Sequence, residues 1–232
     1  MNLRRALAIA LAGVVAVFLA ACGRGEGEGG QPSAPSAGQR APQSSPAQPV
    51  AEVSDLSDGR TTRLTLDSGF LEALERLKLT PAAVGDATIS EDGVATFPIT
   101  GGNLPYYAPG TVSPYVQGEI LHEGSGLSLT GGGTEVELTD FVVDPGASVL
   151  TGTVSADGEV VAEGAPLFSL DGGTLEPLRT NDDGTLAVLE GTSVQLKDEA
   201  ADVLNDIFGV SGLAEGLEVG TAKITIDTGS GG

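Results

Sequence analysis

The chain contains no tryptophan, one cysteine and one histidine, and each scarcity removes a class of function. A lone cysteine rules out an internal disulfide framework. One histidine and one cysteine cannot assemble the several N or S ligands of a zinc site. Any imidazole chemistry must pass through His122, which lies in Glu119-Ile-Leu-His-Glu-Gly-Ser-Gly-Leu127. No Gly-x-Ser-x-Gly elbow is present to supply a hydrolase nucleophile. Paired carboxylates that could serve a hydrolase arise by accident among 32 acidic residues, and three tyrosines without a tryptophan make a poor sugar platform. A carboxylate-dependent hydrolase is therefore the least favoured reading. Asn181-Asp-Asp-Gly184 fails the calcium-loop pattern and reads as a hairpin turn. Cations are scarce too: 11 Lys and Arg stand against 32 Asp and Glu, a formal net charge of −21. Such acidity repels nucleic acid and anionic headgroups, so no nucleic-acid partner is expected. The residues argue for a domain that binds or scaffolds and is not an enzyme.

What is present begins at the N-terminus. Arg4 and Arg5 precede an apolar run from Ala6 to Ala20, too short for a comfortable membrane span and typical of a secretory signal. Leu19-Ala20-Ala21-Cys22 closes it and resembles the lipobox of bacterial lipoproteins. The resemblance implies cleavage before Cys22, a lipid on its sulfur, and a domain held on the bacterial cell membrane or envelope, outside the cytoplasm. Residues 1–21 then form the signal, and their loss leaves 9 basic against 32 acidic side chains. Residues 22–58, rich in Gly, Pro, Ser, Ala and Gln, bury too little apolar surface to offset their ordering entropy and read as a disordered tether. As a random coil of about 36 residues it would hold the domain roughly 30–35 Å from the anchor.

Residues 59–228 read as the folded region, with 229–232 as a flexible tail. Short apolar-alternating runs dominate it: Val94–Ile99, Tyr115–Leu121, Thr134–Val143, Ser148–Val154, Glu159–Val161, Leu167–Leu170, Thr185–Leu189 and Ala222–Ile226. Asp92-Gly93, Asp157-Gly158, Asp171-Gly172-Gly173 and Asp183-Gly184 separate them with hairpin-turn chemistry. In Thr134–Val143, Val136, Leu138 and Phe141 or Val142 should face a core, with Glu135, Glu137 and Thr139 outward. This predicts a mainly β fold, a β-sandwich or an open barrel-like sheet.

Two helices interrupt the strands in similar strand–helix–strand units at the start and end of the domain. Leu64–Leu77 lines up with Val194–Ile207, with apolar faces at Phe70, Leu74, Leu77 and at Ala200, Leu204, Ile207. Asp67 and Asp198 stand where caps and first-turn acids are favoured. After each helix comes a similar run, Val84-Gly-Asp-Ala-Thr-Ile89 and Val219-Gly-Thr-Ala-Lys-Ile224, predicted to start a further strand.

Asn103-Leu-Pro-Tyr-Tyr-Ala-Pro-Gly-Thr-Val-Ser-Pro-Tyr115 holds all three tyrosines. Its prolines predict an ordered loop or edge, either a binding device or a cap on one end of the β-structure. The order of features over Thr62–Ile226 resembles the HtaA-type domain of actinobacterial haem-uptake and related surface proteins. The likeness is carried by Leu64-x-Leu-x-x-x-Phe70, by the segment around His122 followed by Val136-Glu-Leu-Thr-Asp-Phe141, and by Val219-Gly-Thr-Ala222 after the closing helix. It implies a non-enzymatic, β-rich ligand-binding domain, with haem as the ligand of the family's haem binders. Those use a tyrosine on the first helical segment, where this chain has Ala73, together with a histidine near the position of His122. A haem iron here would need His122, Tyr106, Tyr107 or Tyr115. Val116–Leu121, fully extended, would span roughly 20 Å, which favours Tyr106 or Tyr107 over Tyr115 as the partner of His122. The expected ligand is otherwise a small hydrophobic molecule, and the alternative partner is another cell-envelope protein.

Overall fold

The computed structural model of the protein describes residues 46–228. The apolar N-terminal run, Cys22, most of the tether and residues 229–232 lie outside them. The elements in chain order are β1 (Ala51–Val53), β2 (Thr61–Leu66), α1 (Ser68–Leu77), β3 (Thr80–Gly85), β4 (Thr88–Ile89) and β5 (Val94–Pro98). There follow β6 (Gly101–Tyr106), β7 (Glu119–Gly131), β8 (Thr134–Asp144), β9 (Val149–Ala156), β10 (Glu159–Asp171) and β11 (Arg179–Thr180). The last are β12 (Leu186–Leu196), α2 (Asp198–Phe208) and β13 (Glu218–Asp227). The fold is mainly β with two helices, as the alternation predicts.

Of the two predicted architectures the barrel-like one is found. Antiparallel pairing runs β7–β8–β9–β10–β12–β13–β2–β5. From β5 the chain continues through Ile99 and Thr100 into β6, which pairs with β7, so the path returns to the strand it left. Thr100 N–H donates to the Leu121 carbonyl at 2.8 Å just before that junction. The sheet thus curls into an open half-barrel whose hydrogen-bonded path ends at the short strands β1 and β4, and short edge strands present little unpaired backbone.

Bulges set which side chains enter the barrel. In β8, Val136 and Leu138 are buried, then Phe141 and Val143, an odd step that regular alternation forbids. Asp140, at φ 53°, takes up the extra residue, and the β8 register shifts between Thr139 and Val142. β7 shifts likewise between His122 and Gly126. The two irregularities meet, for Gly124 N–H donates to the Asp140 carboxylate at 2.9 Å. Without this paired bulge, His122 and Leu127, five residues apart, would face opposite sides of the sheet.

Several boundaries differ from the sequence reading for related reasons. Glu159–Val161 and Leu167–Leu170 belong to the single strand β10, carried past Gly164 (φ 60°) by register shifts. Thr185–Leu189 extends to Leu196 through a shift at Gly191. Tyr115–Leu121 is not one straight strand, because Gly118 (φ 91°) turns the chain and β7 starts only at Glu119. The predicted tether end at Asp58 lies inside the fold: β1 pairs with β6, and Leu56 is buried among Ile99, Leu104 and Ile120. A few isolated apolar residues in a polar run carry no periodicity that could announce this docking.

The two strand–helix units are similar in place as well as in sequence. β2 and β12 flank β13, both antiparallel to it, with Leu66 and Val194 each opposite Gly220. Both therefore enter their helices at the same end of the barrel. Asp67 caps α1 by accepting from Gly69 and Phe70 N–H at 2.8 and 3.3 Å, and Asp198 and Glu199 fill the first turn of α2. Phe70, Leu74, Ala200 and Leu204 pack in one cluster with Leu127, Leu138 and Phe168, closing that end. The runs after the helices diverge. Val219–Ile224 lies within β13, whereas Val84–Ile89 spans the end of β3, a turn and β4. β3 pairs with β7 and not with β2, so the same local pattern serves two tertiary settings.

Candidate functional site

Between the helix-capped cluster and a second apolar cluster around Leu56, Leu104 and Ile120, the barrel interior is incompletely filled. A cavity of about 100 Å³ remains there. Its walls are apolar, with Phe97, Phe141, Phe168 and Ile224 among them. One end reaches loops at Pro114-Tyr115, Pro145 and Gly172, of which Gly172 is exposed. An apolar gap of this kind forfeits packing energy unless something occupies it.

His122 lines this cavity and is 2% exposed. Its Nε2 lies 2.8 Å from the Thr62 hydroxyl, across the barrel on β2. Its Nδ1 has no hydrogen-bond partner of good geometry. Burial pushes the imidazole down to about 4, and the nearby backbone of Phe141 opposes this to a lesser extent. At neutral pH the ring is uncharged, with one nitrogen anchored and the other unsatisfied in apolar surroundings. Phe97 stands edge-on to it at 6.2 Å and continues edge-on to Phe141 at 5.5 Å and then to Phe168 at 6.5 Å, the arrangement aromatic quadrupoles favour.

The tyrosines are distributed otherwise than the chain spacing suggested. Tyr115 lines the cavity together with His122, because the turn at Gly118 brings the loop back over the barrel mouth. Tyr106 does not line it; its ring packs edge-on against Tyr115 at 5.6 Å. Tyr107 is half-buried and its N–H donates to the Tyr115 carbonyl at 2.7 Å. Val116–Leu121 is not one straight strand, so the length of an extended segment does not keep Tyr115 from His122. Desolvation at this site, with Tyr106 beside it, pushes the Tyr115 hydroxyl's pKa upward. Ala73 of α1, where the haem binders of the family resembled carry a tyrosine, faces inward and is buried. Among the described residues no group of three or more His, Cys, Asp or Glu is placed to hold a metal ion.

Thr62, Ser148 and Thr192 also line the cavity, and sequence reasoning did not single them out. Nothing marks an isolated Thr or Ser in a strand as inward-facing until the bulges and the closure are known.

No protein-family model matches the sequence, and no curated protein matches it. Solved structures do match in fold. The crystal structure of the C-terminal domain of HtaA from Corynebacterium glutamicum aligns with a TM-score of 0.50 at 13% identity, covering 76% of this chain and 98% of that one. The haem-binding protein HtaB from Corynebacterium glutamicum aligns at a TM-score of 0.42 and 11% identity, covering 76% of this chain and 96% of that one. The folded part of this chain thus has the HtaA-type fold.

Proposed function

We propose that the protein is an exported lipoprotein whose barrel domain binds a small apolar ligand without transforming it. One observation carries this reading: an apolar cavity inside the barrel holds a buried, neutral histidine with an unsatisfied nitrogen. Binding sites are concave and apolar with a few placed polar groups, and this cavity has that character. Cys22 and the lipobox-like residues before it support a lipid anchor, and the Gly/Pro/Ser-rich stretch after it supports a tether holding the domain clear of the membrane. Full-chain protein saturated with benzene should show amide shifts confined to residues such as His122, Phe141 and Phe168. Absence of any such shift would remove the interior site and leave the scaffold reading, with a cell-envelope protein as partner.

Haem is the second reading, favoured by the sequence resemblance and by His122. The residues present suit it less well. A cavity of about 150 Å³ is benzene-sized, so the roughly 100 Å³ here is far too small for a porphyrin. The tyrosine position on α1 is a buried alanine. An iron ligand would have to come from Tyr106, Tyr107 or Tyr115 beside the mouth, or from His122 after the barrel opened. Haemin titration decides this: a Soret shift at micromolar haemin, lost on substitution of His122 or one of these tyrosines, establishes haem binding.

The anchor is tested separately. Cys22→Ser should leave an uncleaved or mis-sorted precursor that no longer partitions into detergent as a lipoprotein. An unchanged mature mass and detergent partition in that variant would end the lipoprotein reading.

A further inference from the structure

We infer that the barrel cavity is built for an uncharged single-ring aromatic alcohol, a phenol-class molecule, with its hydroxyl on His122 and its ring among Phe97, Phe141 and Phe168. The inference rests on the interior-site reading above and adds the chemical class of the ligand. Size comes first: about 100 Å³ is below the roughly 150 Å³ that encloses a benzene, so one ring at most fits, part of it in the end that opens toward Pro114 and Gly172. The three phenylalanines stand edge-on in succession and offer both faces and edges to a further ring, which aromatic pairs prefer over aliphatic filling.

Charge is excluded next. No Lys or Arg lines the cavity, and an ionised group buried there without a partner would meet a large desolvation cost. His122 is itself held neutral and cannot act as a counter-ion.

The polar group then follows from the imidazole. Its Nε2 is paired with Thr62, so the unsatisfied Nδ1 is a donor if Thr62 donates and an acceptor if Thr62 accepts. A hydroxyl both donates and accepts, and satisfies Nδ1 in either tautomer. An ether or a ketone satisfies it in one only, and a hydrocarbon in neither.

The test is a ligand series on the full chain, followed by amide shifts of the lining residues. Phenol should bind about tenfold more tightly than benzene or anisole, the worth of one buried hydrogen bond, and benzoate should not bind. His122→Phe should bring phenol down to the affinity of benzene while benzene binding persists. The wild-type series decides the matter even if that variant fails to fold. Equal affinities for phenol and benzene, or binding of benzoate, would overturn the ligand class and leave the interior site standing. Failure of both phenol and benzene to bind would overturn the interior site as well.

Discussion

Between pH 7 and pH 4 the domain should lose about 3 kcal/mol of stability through His122 alone, since burial lowers its pKa from the ordinary 6.5 to about 4. The unfolded chain takes up a proton on this imidazole as pH falls through 6.5, while the folded chain does so only near 4. In that window the unfolded state binds more protons, so stability rises with pH. The contribution is fully present above 6.5 and lost as pH falls toward 4. The many carboxylates titrate over part of the same range, so the measurement is a difference. Urea denaturation of the wild type and of His122→Gln at both pH values cancels the common carboxylate effect. The variant should be less stable at pH 7, having lost the fitted ring, and flatter between the two pH values. Parallel pH dependences in the two proteins would mean that the histidine is not buried as a neutral group.

Leu204→Asp and Leu74→Asp should each cost at least about 4 kcal/mol, most of the stability of a domain at the low end of the usual range. Leu74 is 1% exposed and Leu204 3%, and both lie in the cluster that seals one end of the barrel. Each substitution removes packing and places a carboxylate in an apolar cluster. Pro35→Ala, in the expected tether, should leave the melting temperature unchanged. A wild-type melt for Leu204→Asp would mean that α2 is not docked on the barrel and that the paired-unit arrangement is mistaken.

Much of this fold could be read directly because the features are local. Val136 and Leu138 announce a half-buried strand through period-two alternation. Asp67 announces a helix start because a carboxylate there satisfies free N–H groups, and it caps α1 as expected. The apolar spacing of Phe70 and Leu74, and of Ala200 and Leu204, marks the faces that turn inward. The resemblance to HtaA-type domains rests on soft motifs, yet it anticipates the fold. His122 stood out simply as the one histidine in the chain.

The site was much less legible. Asp140 and Gly124 form a paired bulge that reverses strand parity, and the same residue types also make hairpin turns. Local sequence does not separate the two uses. Tyr115 and His122 share a cavity because Gly118 turns the loop back, where chain length alone placed them apart. The β-rich class, the two amphipathic helices and the Asp67 cap follow from local sequence, since each depends on neighbours within one or two turns of chain. The return of the chain from β5 through β6 to β7, the place of Leu56 in the core and the meeting of His122 with Thr62 depend on how distant strands come together. Register and closure are properties of all the strands together, and one left-handed residue in any strand shifts what every later residue in it faces.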